Sequence, residues 1–399
     1  AFFEMTRRMM ENPAKLVEAQ IGLWQEYVNF WNHATQQMLG TQPNGAYIEP
    51  KKDDYRFRDA AWSDNDVFDY IKQSYLLTAR WMQKTVSEVE GLDDKTAKKV
   101  DFYTRQFVDA LAPTNFILTN PEVLRETVET KGENLLKGLQ NLLEDLEAGE
   151  GKLKIKMVDS DAFEVGKDIA VTPGKVVYQN DLVQLLQFEP TTKKVYKTPL
   201  LIIPPWINKF YILDLKEQNS MIKWITDQGY TLFMVSWVNP DASYADVSMD
   251  DYVEEGFLTA IREVKAICGV KQVNTVGYCI AGTTLHLTLA LMAKRGDKSV
   301  KSATFFTALT DYAEQGEFVP FLQDDFVDGI EQEVNEQGVL RSFIMSRTMS
   351  FLRSNDLIYT PAIRSYMMGE TPPAFDLLYW NGDGANLPGK MTVQYLRGL

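Results

Sequence analysis

Val273-Asn274-Thr275-Val276-Gly277-Tyr278-Cys279-Ile280-Ala281-Gly282-Thr283-Thr284 runs from a β-branched segment, through a glycine-flanked cysteine, into a helix-compatible segment. The pattern predicts a strand, a sharp turn and a helix. Small residues around the turn let the backbone pass through a strained conformation that projects one side chain from the head of a sheet. This is the mechanical content of the G-x-S-x-G nucleophile elbow. Here the projecting group is a thiol, and Ala281 stands where the second glycine belongs, with Gly282 one step later. The competing reading is a buried core cysteine at a strand end, because free cysteine is among the most buried residue types.

At 399 residues the chain exceeds one typical core, so two domains are expected. A net charge of −14 argues against a nucleic-acid partner, which would need clustered Lys and Arg. No apolar run is long enough for a spanning helix. Cys268 and Cys279 lie too close in sequence to suggest a disulfide framework, and no Cys/His cluster has metal-ligand spacing, so the composition reads as intracellular and reduced.

From Asn12-Pro13 runs a long helical pattern with Val17, Ile21, Trp24, Val28, Trp31 and Met38 as an apolar seam and Leu23, Tyr27 and Phe30 as a second flank. The seam is expected to pack within its own domain, although a helix so rich in Trp also suits a partner or an apolar surface. Gly40 to Pro50 reads as a loop, and helical patterns resume at Asp66 to Val89, Asp93 to Ala112 and Asn120 to Leu146. Character changes near Glu147 to Gly151. The strand-like runs Lys175 to Gln179 and Leu182 to Phe188 flank Asn180-Asp181, a hairpin turn signal. Leu200 to Ile203, Thr231 to Trp237, Val273 to Tyr278 and Ala303 to Thr307 then alternate with helical segments, the pattern of a parallel sheet covered on both faces. A hairpin followed by parallel βα units, with the elbow on the third of these strands, predicts an α/β-hydrolase fold after an all-helical N-terminal domain. The expected boundaries are 1–155 for the helical domain and 156–399 for the catalytic one, with a cap insertion at about 312–399 that supplies no further parallel strand.

A thiol becomes a nucleophile with the help of a base, normally a histidine oriented by a carboxylate. The chain has two histidines. His286 lies seven residues beyond Cys279 on the same predicted helix, roughly 10 Å along its axis, and reads as a packing residue. His33 lies in the helical region with nothing to recommend it. Asp311 reads as a strand-end or capping residue rather than a catalytic acid. Since the histidine of this fold follows the last strand, the triad Asp and His are expected beyond Leu399, in a longer protein, and the chain by itself is expected to be inactive. The N–H of Ile280 supplies one oxyanion donor, and the loop Pro204-Pro205-Trp206-Ile207-Asn208 is expected to supply the other from Trp206 or Ile207.

Four stretches together resemble one family. Residues Pro204-Pro205-Trp206-Ile207-Asn208-Lys209-Phe210-Tyr211-Ile212-Leu213-Asp214, Val235-Ser236-Trp237 with Asn239-Pro240, Gly277-Tyr278-Cys279, and Phe375-Asp376-Leu377-Leu378-Tyr379-Trp380-Asn381-Gly382-Asp383 are similar to the class I polyhydroxyalkanoate (poly-3-hydroxybutyrate) synthases. The similarity spans nearly the whole chain, including Gln73-Ser74-Tyr75-Leu76-Leu77. Family members usually carry G-x-C-x-G-G, so Ala281 is a departure, and the family's catalytic Asp and His match no position here. The resemblance implies an acyltransferase in which Cys279 takes the acyl group from (R)-3-hydroxyacyl-coenzyme A, releases coenzyme A and passes the acyl group to a growing polyester. The coenzyme A thioester is substrate, and no cofactor or metal is implied. Trp206, with the cap around Phe343 and Leu352, would wall a pocket for a short acyl chain. A homodimer in the cytoplasm, at the surface of polyester granules, is also implied. Two other readings stay open: a lipase or polyester depolymerase of the same fold, and a non-catalytic granule-binding protein.

Overall fold

The computed structural model describes residues 1–39 and 45–398; residues 40–44 of the expected loop, Leu399 and the side chains of Gln37 and Met38 lie outside the described residues. The chain divides into two compact units: Ala1–Met157 with Glu317–Pro320 and Met349–Pro372, and Val158–Gly316 with Phe321–Thr348 and Pro373–Leu399.

The first unit is helical. Its main helices are Phe2–Glu11, Pro13–Met38, Asp66–Ser87, Asp94–Ala110, Pro121–Glu129 and Glu133–Ala148. Their starts follow from side-chain caps. The Asn65 side chain accepts from the N–H groups of Val67 and Phe68, Asp93 from Thr96, and Asn120 from Glu122 and Val123, with Pro121 at the first helical position. Two expectations change. The helix expected from Asn120 to Leu146 is broken, because Lys131 (φ 54°) and Gly132 (φ 88°) turn into the left-handed region and start a new helix at Glu133. The Val17, Ile21, Trp24, Val28 and Trp31 seam does not pack inside its domain. Each of these side chains is between 51% and 66% exposed, while Phe30 is buried with Ile48 and Leu77, and Leu23 and Tyr27 pack against that cluster. The second flank is therefore the inward face.

Of the cap expected at about 312–399, residues 349–372 group with the helices. The reason is close backbone contact. Asn134 and Asn141 donate their amide N–H groups to the carbonyls of Met367 and Ser365, and Tyr366 Oη donates to Asp145. A Cβ at Gly138 would lie 1.9 Å from the Tyr366 carbonyl oxygen, so only glycine permits the approach. At the other end Asp109 accepts from Ser354 at 3.2 Å and pairs with Arg56 at 3.1 Å; Arg56 also pairs with Asp54 at 2.8 Å and donates to Tyr75 at 3.0 Å. Burial, despite the neighbouring guanidinium, pushes the Tyr75 phenol up to about 12. Removing one partner of a buried pair leaves uncompensated charge and typically costs about 3–5 kcal/mol. Arg56→Ala is accordingly expected to lower the free energy of unfolding of the helical unit, measured by urea titration, by an amount in that range. A change under about 0.5 kcal/mol would place the network at the surface-pair level.

The second unit holds a six-stranded sheet in the order β1-β2-β4-β3-β5-β6. Strands β1 (Gly174–Gln179) and β2 (Val183–Phe188) form the expected hairpin, and Asn180 Oδ1 accepts from the N–H groups of Leu182 and Val183. β2 pairs antiparallel with β4 (Leu232–Trp237); β4, β3 (Leu200–Ile203), β5 (Val273–Tyr278) and β6 (Val300–Phe306) run parallel. Alternate residues reach opposite faces. Leu201, Ile203, Phe233 and Val235 join one apolar cluster, and Ile202, Leu232, Met234 and Val276 join another. Both faces are covered, and the strands therefore read as unbroken apolar runs. The strand order, with the elbow at the end of β5, is the α/β-hydrolase arrangement. After β6 come the helices Asp324–Gln337, Asp376–Gly382 and Gly389–Gly398, residues 342–348 of the helix Ser342–Leu352, and a two-residue antiparallel pair of β7 (Val339–Leu340) with β8 (Leu387–Pro388). Among the described residues no helix is long and apolar enough to cross a membrane.

Candidate active site

Cys279 sits between β5 and the helix Ile280–Arg295 with φ 54° and ψ −131°. A non-glycine residue at this φ is strained and persists only where its surroundings fix it. The fixing contacts are visible. The Cys279 N–H donates to the Phe306 carbonyl at 2.8 Å at the end of β6, and its own carbonyl accepts from Gly282 and Thr283. A Cβ on Gly277 would lie 2.9 Å from Gly282 Cα and 2.8 Å from a Leu285 methyl; one on Gly282 would lie 2.4 Å from Ala308 Cβ. Gly282 is thus the residue that lets the helix approach the strand, and Ala281 points into the core, fully buried. The one-step departure from G-x-S-x-G leaves the elbow intact. Ile280 opens the helix, so its N–H has no acceptor within the helix.

The loop after β3 is braced from two sides. Trp237 Nε1 donates to the Pro204 carbonyl at 2.8 Å, and Trp206 Nε1 to Thr284 Oγ1 at 3.2 Å on the elbow helix. From the C-terminal segment, Ala385 N–H donates to Ile207 O at 3.0 Å, Trp380 Nε1 to Lys209 O at 2.8 Å, and Asp383 accepts from Tyr211 at 2.7 Å. The stretches 204–214, 235–237 and 375–383, far apart in sequence, meet around one loop. The Trp206 indole is packed in the core, edge-on to Tyr252 and Tyr395, and does not wall an open pocket. Phe343 is half-buried in the sheet unit and Leu352 half-buried in the helical unit, so these two belong to different compact units.

Each histidine is held by local contacts. His286 Nδ1 shares a hydrogen bond with the Gly282 carbonyl at 2.9 Å, and its ring stacks on Phe305 with centroids 3.8 Å apart. His33 Nε2 is 2.8 Å from the Gly45 carbonyl in the helical unit. Asp311 is exposed in a loop and accepts from the Ala313 N–H at 2.9 Å, a local turn. Cys268 closes a helix, and burial pushes its thiol up. No group of His, Cys, Asp or Glu among the described residues could hold a metal ion. Tyrosines flank the thiol instead. Burial, with a smaller contribution from the Cys279 charge, pushes Tyr278 up to about 12. Tyr395 is raised well above the ordinary tyrosine range by burial first, then by its bond to Tyr312, and then by the Cys279 charge.

Known proteins match this chain across that whole framework. Residues 53–225 match the family described as poly-beta-hydroxybutyrate polymerase (PhaC) N-terminus. A poly(3-hydroxyalkanoate) polymerase of Methylorubrum extorquens is 44% identical over 403 residues, covering 99% of this chain and 66% of the relative. A poly(3-hydroxyalkanoate) polymerase subunit PhaC of Rhizobium meliloti (strain 1021) is 43% identical over 97% of this chain and 63% of its own length. The Cupriavidus necator subunit is 40% identical over 96% and 65%. The chain belongs to the polyhydroxyalkanoate polymerase family. It spans slightly under two thirds of the length of these relatives. Among solved structures, an alpha/beta hydrolase fold protein from Burkholderia ambifaria is 14% identical over 53% of this chain and 76% of that one, with a TM-score of 0.28. An alpha/beta hydrolase enzyme from a Mar Chica lagoon sediment metagenome is also 14% identical, over 50% and 73%, with a TM-score of 0.24.

Within this polymerase-family chain, sequence reasoning missed Thr283, Tyr312 and Tyr395. Thr283 could have been found, since it lies in the first turn of the helix that follows Cys279. Tyr312 and Tyr395 could not. They are 83 residues apart, and no spacing rule connects them.

Proposed function

We propose that the protein polymerises (R)-3-hydroxyacyl groups from coenzyme A thioesters, with Cys279 as the acyl carrier. The observation that carries the reading is the strained elbow at Cys279, with φ 54°, in a chain 40–44% identical to named polymerases. The Cys279 thiolate attacks the thioester carbonyl, and the oxyanion formed is met by the Ile280 N–H and a backbone N–H of the Trp206–Ile207 loop. The carbonyl reforms, the bond to the coenzyme A sulfur breaks, and that thiolate leaves and takes up a proton. A hydroxyl of the growing chain then attacks the acyl-Cys279 thioester. Its oxygen forms the new ester, its proton goes to a base, and the Cys279 sulfur is released as thiolate. Exchange of one thioester for another is nearly isoenergetic, so the acyl group stays activated on the enzyme. Water competes with the chain hydroxyl, and a closed site protects the intermediate. A homodimer working in the cytoplasm at the surface of a polyester granule completes the reading.

The test is incubation of the intact gene product with 3-hydroxybutyryl-coenzyme A. Release of coenzyme A with accumulation of sedimentable polyester is expected. Release matched by free 3-hydroxybutyrate would replace the polymerase reading with a hydrolase one, and no release would leave a binding role.

A further inference from the structure

A directed chain of hydroxyls leads from the elbow helix, through Thr283 and Tyr312, to Tyr395. Thr283 Oγ1 donates to the Leu309 carbonyl at 2.7 Å, which uses its only proton. The 3.1 Å contact between Thr283 Oγ1 and Tyr312 Oη must then take its proton from Tyr312. By the same count the 3.3 Å contact between Tyr312 Oη and Tyr395 Oη takes its proton from Tyr395. The order Tyr395 to Tyr312 to Thr283 to Leu309 is the one that gives every contact a hydrogen. The Tyr395 oxygen is left with lone pairs and no proton to give.

Its position is set from both halves of the site. Through Tyr312 and Thr283 it is tied to the helix that begins next to Cys279, and its ring stands edge-on to Trp206 of the oxyanion loop, with centroids 5.4 Å apart and planes at 83°. Burial keeps the phenol protonated, so the group is a neutral acceptor rather than a phenolate, and the field of the Cys279 charge reaches it. Of the groups on a 3-hydroxyacyl thioester, the carbonyl oxygen and the sulfur are acceptors and would find nothing there. The 3-hydroxyl, two carbons from the carbonyl, is the one donor. We propose that the Tyr395 phenol oxygen accepts a hydrogen bond from the 3-hydroxyl of the acyl group bound at Cys279, which makes Tyr395 a specificity-determining residue for hydroxyacyl over plain acyl thioesters. Tyr312 is its positioning residue, fixing which way the Tyr395 proton points.

The inference rests on the polymerase reading of the site, and its test separates the two. Single-turnover release of coenzyme A is measured for the intact protein with 3-hydroxybutyryl-coenzyme A and with butyryl-coenzyme A, which differ only in that hydroxyl. The ratio of the two kcat/KM values is the readout. In Tyr395→Phe this ratio is expected to fall by roughly 10- to 100-fold, the range for a buried hydrogen bond lost from a recognised group. Tyr312→Phe, which keeps the Tyr395 oxygen but frees its proton, is expected to lower the ratio by a smaller factor. A Tyr395→Phe protein that loses rate equally on both thioesters, or keeps the wild-type ratio, overturns the inference and leaves the polymerase reading standing. A wild-type protein that releases no coenzyme A from the hydroxyacyl thioester overturns both.

Discussion

Cys279→Ala is expected to abolish acyl transfer while leaving the fold in place. Without the sulfur no covalent intermediate forms, and loss of a catalytic nucleophile elsewhere costs on the order of 10⁶ in kcat. The check is mass spectrometry of the intact protein after mixing with 3-hydroxybutyryl-coenzyme A: an acyl adduct on the wild type, none on the variant. An adduct that survives in Cys279→Ala, or that maps to Cys268, would end the assignment. Cys279→Ser should be severely impaired as well, because a hydroxyl in a site shaped for a thiol is far less ionised. A companion result is expected from stability. Cys279 holds φ 54°, where an L side chain is strained by about 1–3 kcal/mol, so Cys279→Gly should be inactive yet unfold at a higher temperature than the wild type. An inactive variant that is also more stable is what a strained functional residue implies.

Gly282→Ala is expected to lower kcat by about 100-fold with little change in coenzyme A thioester binding. Two opposing effects act on stability. Alanine favours a helix interior over glycine by about 1 kcal/mol, while overpacking typically costs about 1–3 kcal/mol. The added methyl would lie 2.4 Å from Ala308 Cβ and 3.0 Å from the Gly277 carbonyl oxygen, so something must move. What moves is the helix that carries the Ile280 N–H, and a displacement near 1 Å is enough to cost about 10²-fold in a positioned site. Steady-state kinetics beside a thermal melt separates the two effects. A fully active Gly282→Ala would mean that the helix can shift without moving Cys279 or its oxyanion donor, and the close approach would then not be what shapes the elbow.

Much of the candidate site was legible because it is local. The elbow is one stretch, and its glycines, cysteine and flanking β-branched run act on one another through backbone sterics within ten residues. The departure at Ala281 could be weighed but not resolved from sequence, since whether Gly282 takes over the close approach depends on Ala308, in another strand's exit loop. The helical breaks followed the same logic. Pro121 and the side-chain caps marked helix starts correctly, whereas the break at Lys131-Gly132 was missed because a lysine at positive φ has no composition signal.

The sequence by itself determined the strands, the order in which sheet and helices alternate, and the turn that carries Cys279. Each of these rests on periodicity or on residues adjacent in the chain, where neighbouring side chains and φ/ψ limits decide the outcome. Tertiary structure alone decided the rest. Two apolar flanks lie side by side on the helix Pro13–Met38, and the pattern cannot tell which one is buried; packing chose Leu23, Tyr27 and Phe30 over the Trp-rich seam. Residues 349–372 joined the helical unit through carbonyl contacts that a sequence pattern does not record. The bracing of the loop after β3 by Trp380, Asp383 and Ala385, and the meeting of Thr283, Tyr312 and Tyr395, unite residues from distant stretches of the chain. Hydrogen bonds of that reach form between side chains that the folded core brings together, and no local preference fixes them beforehand.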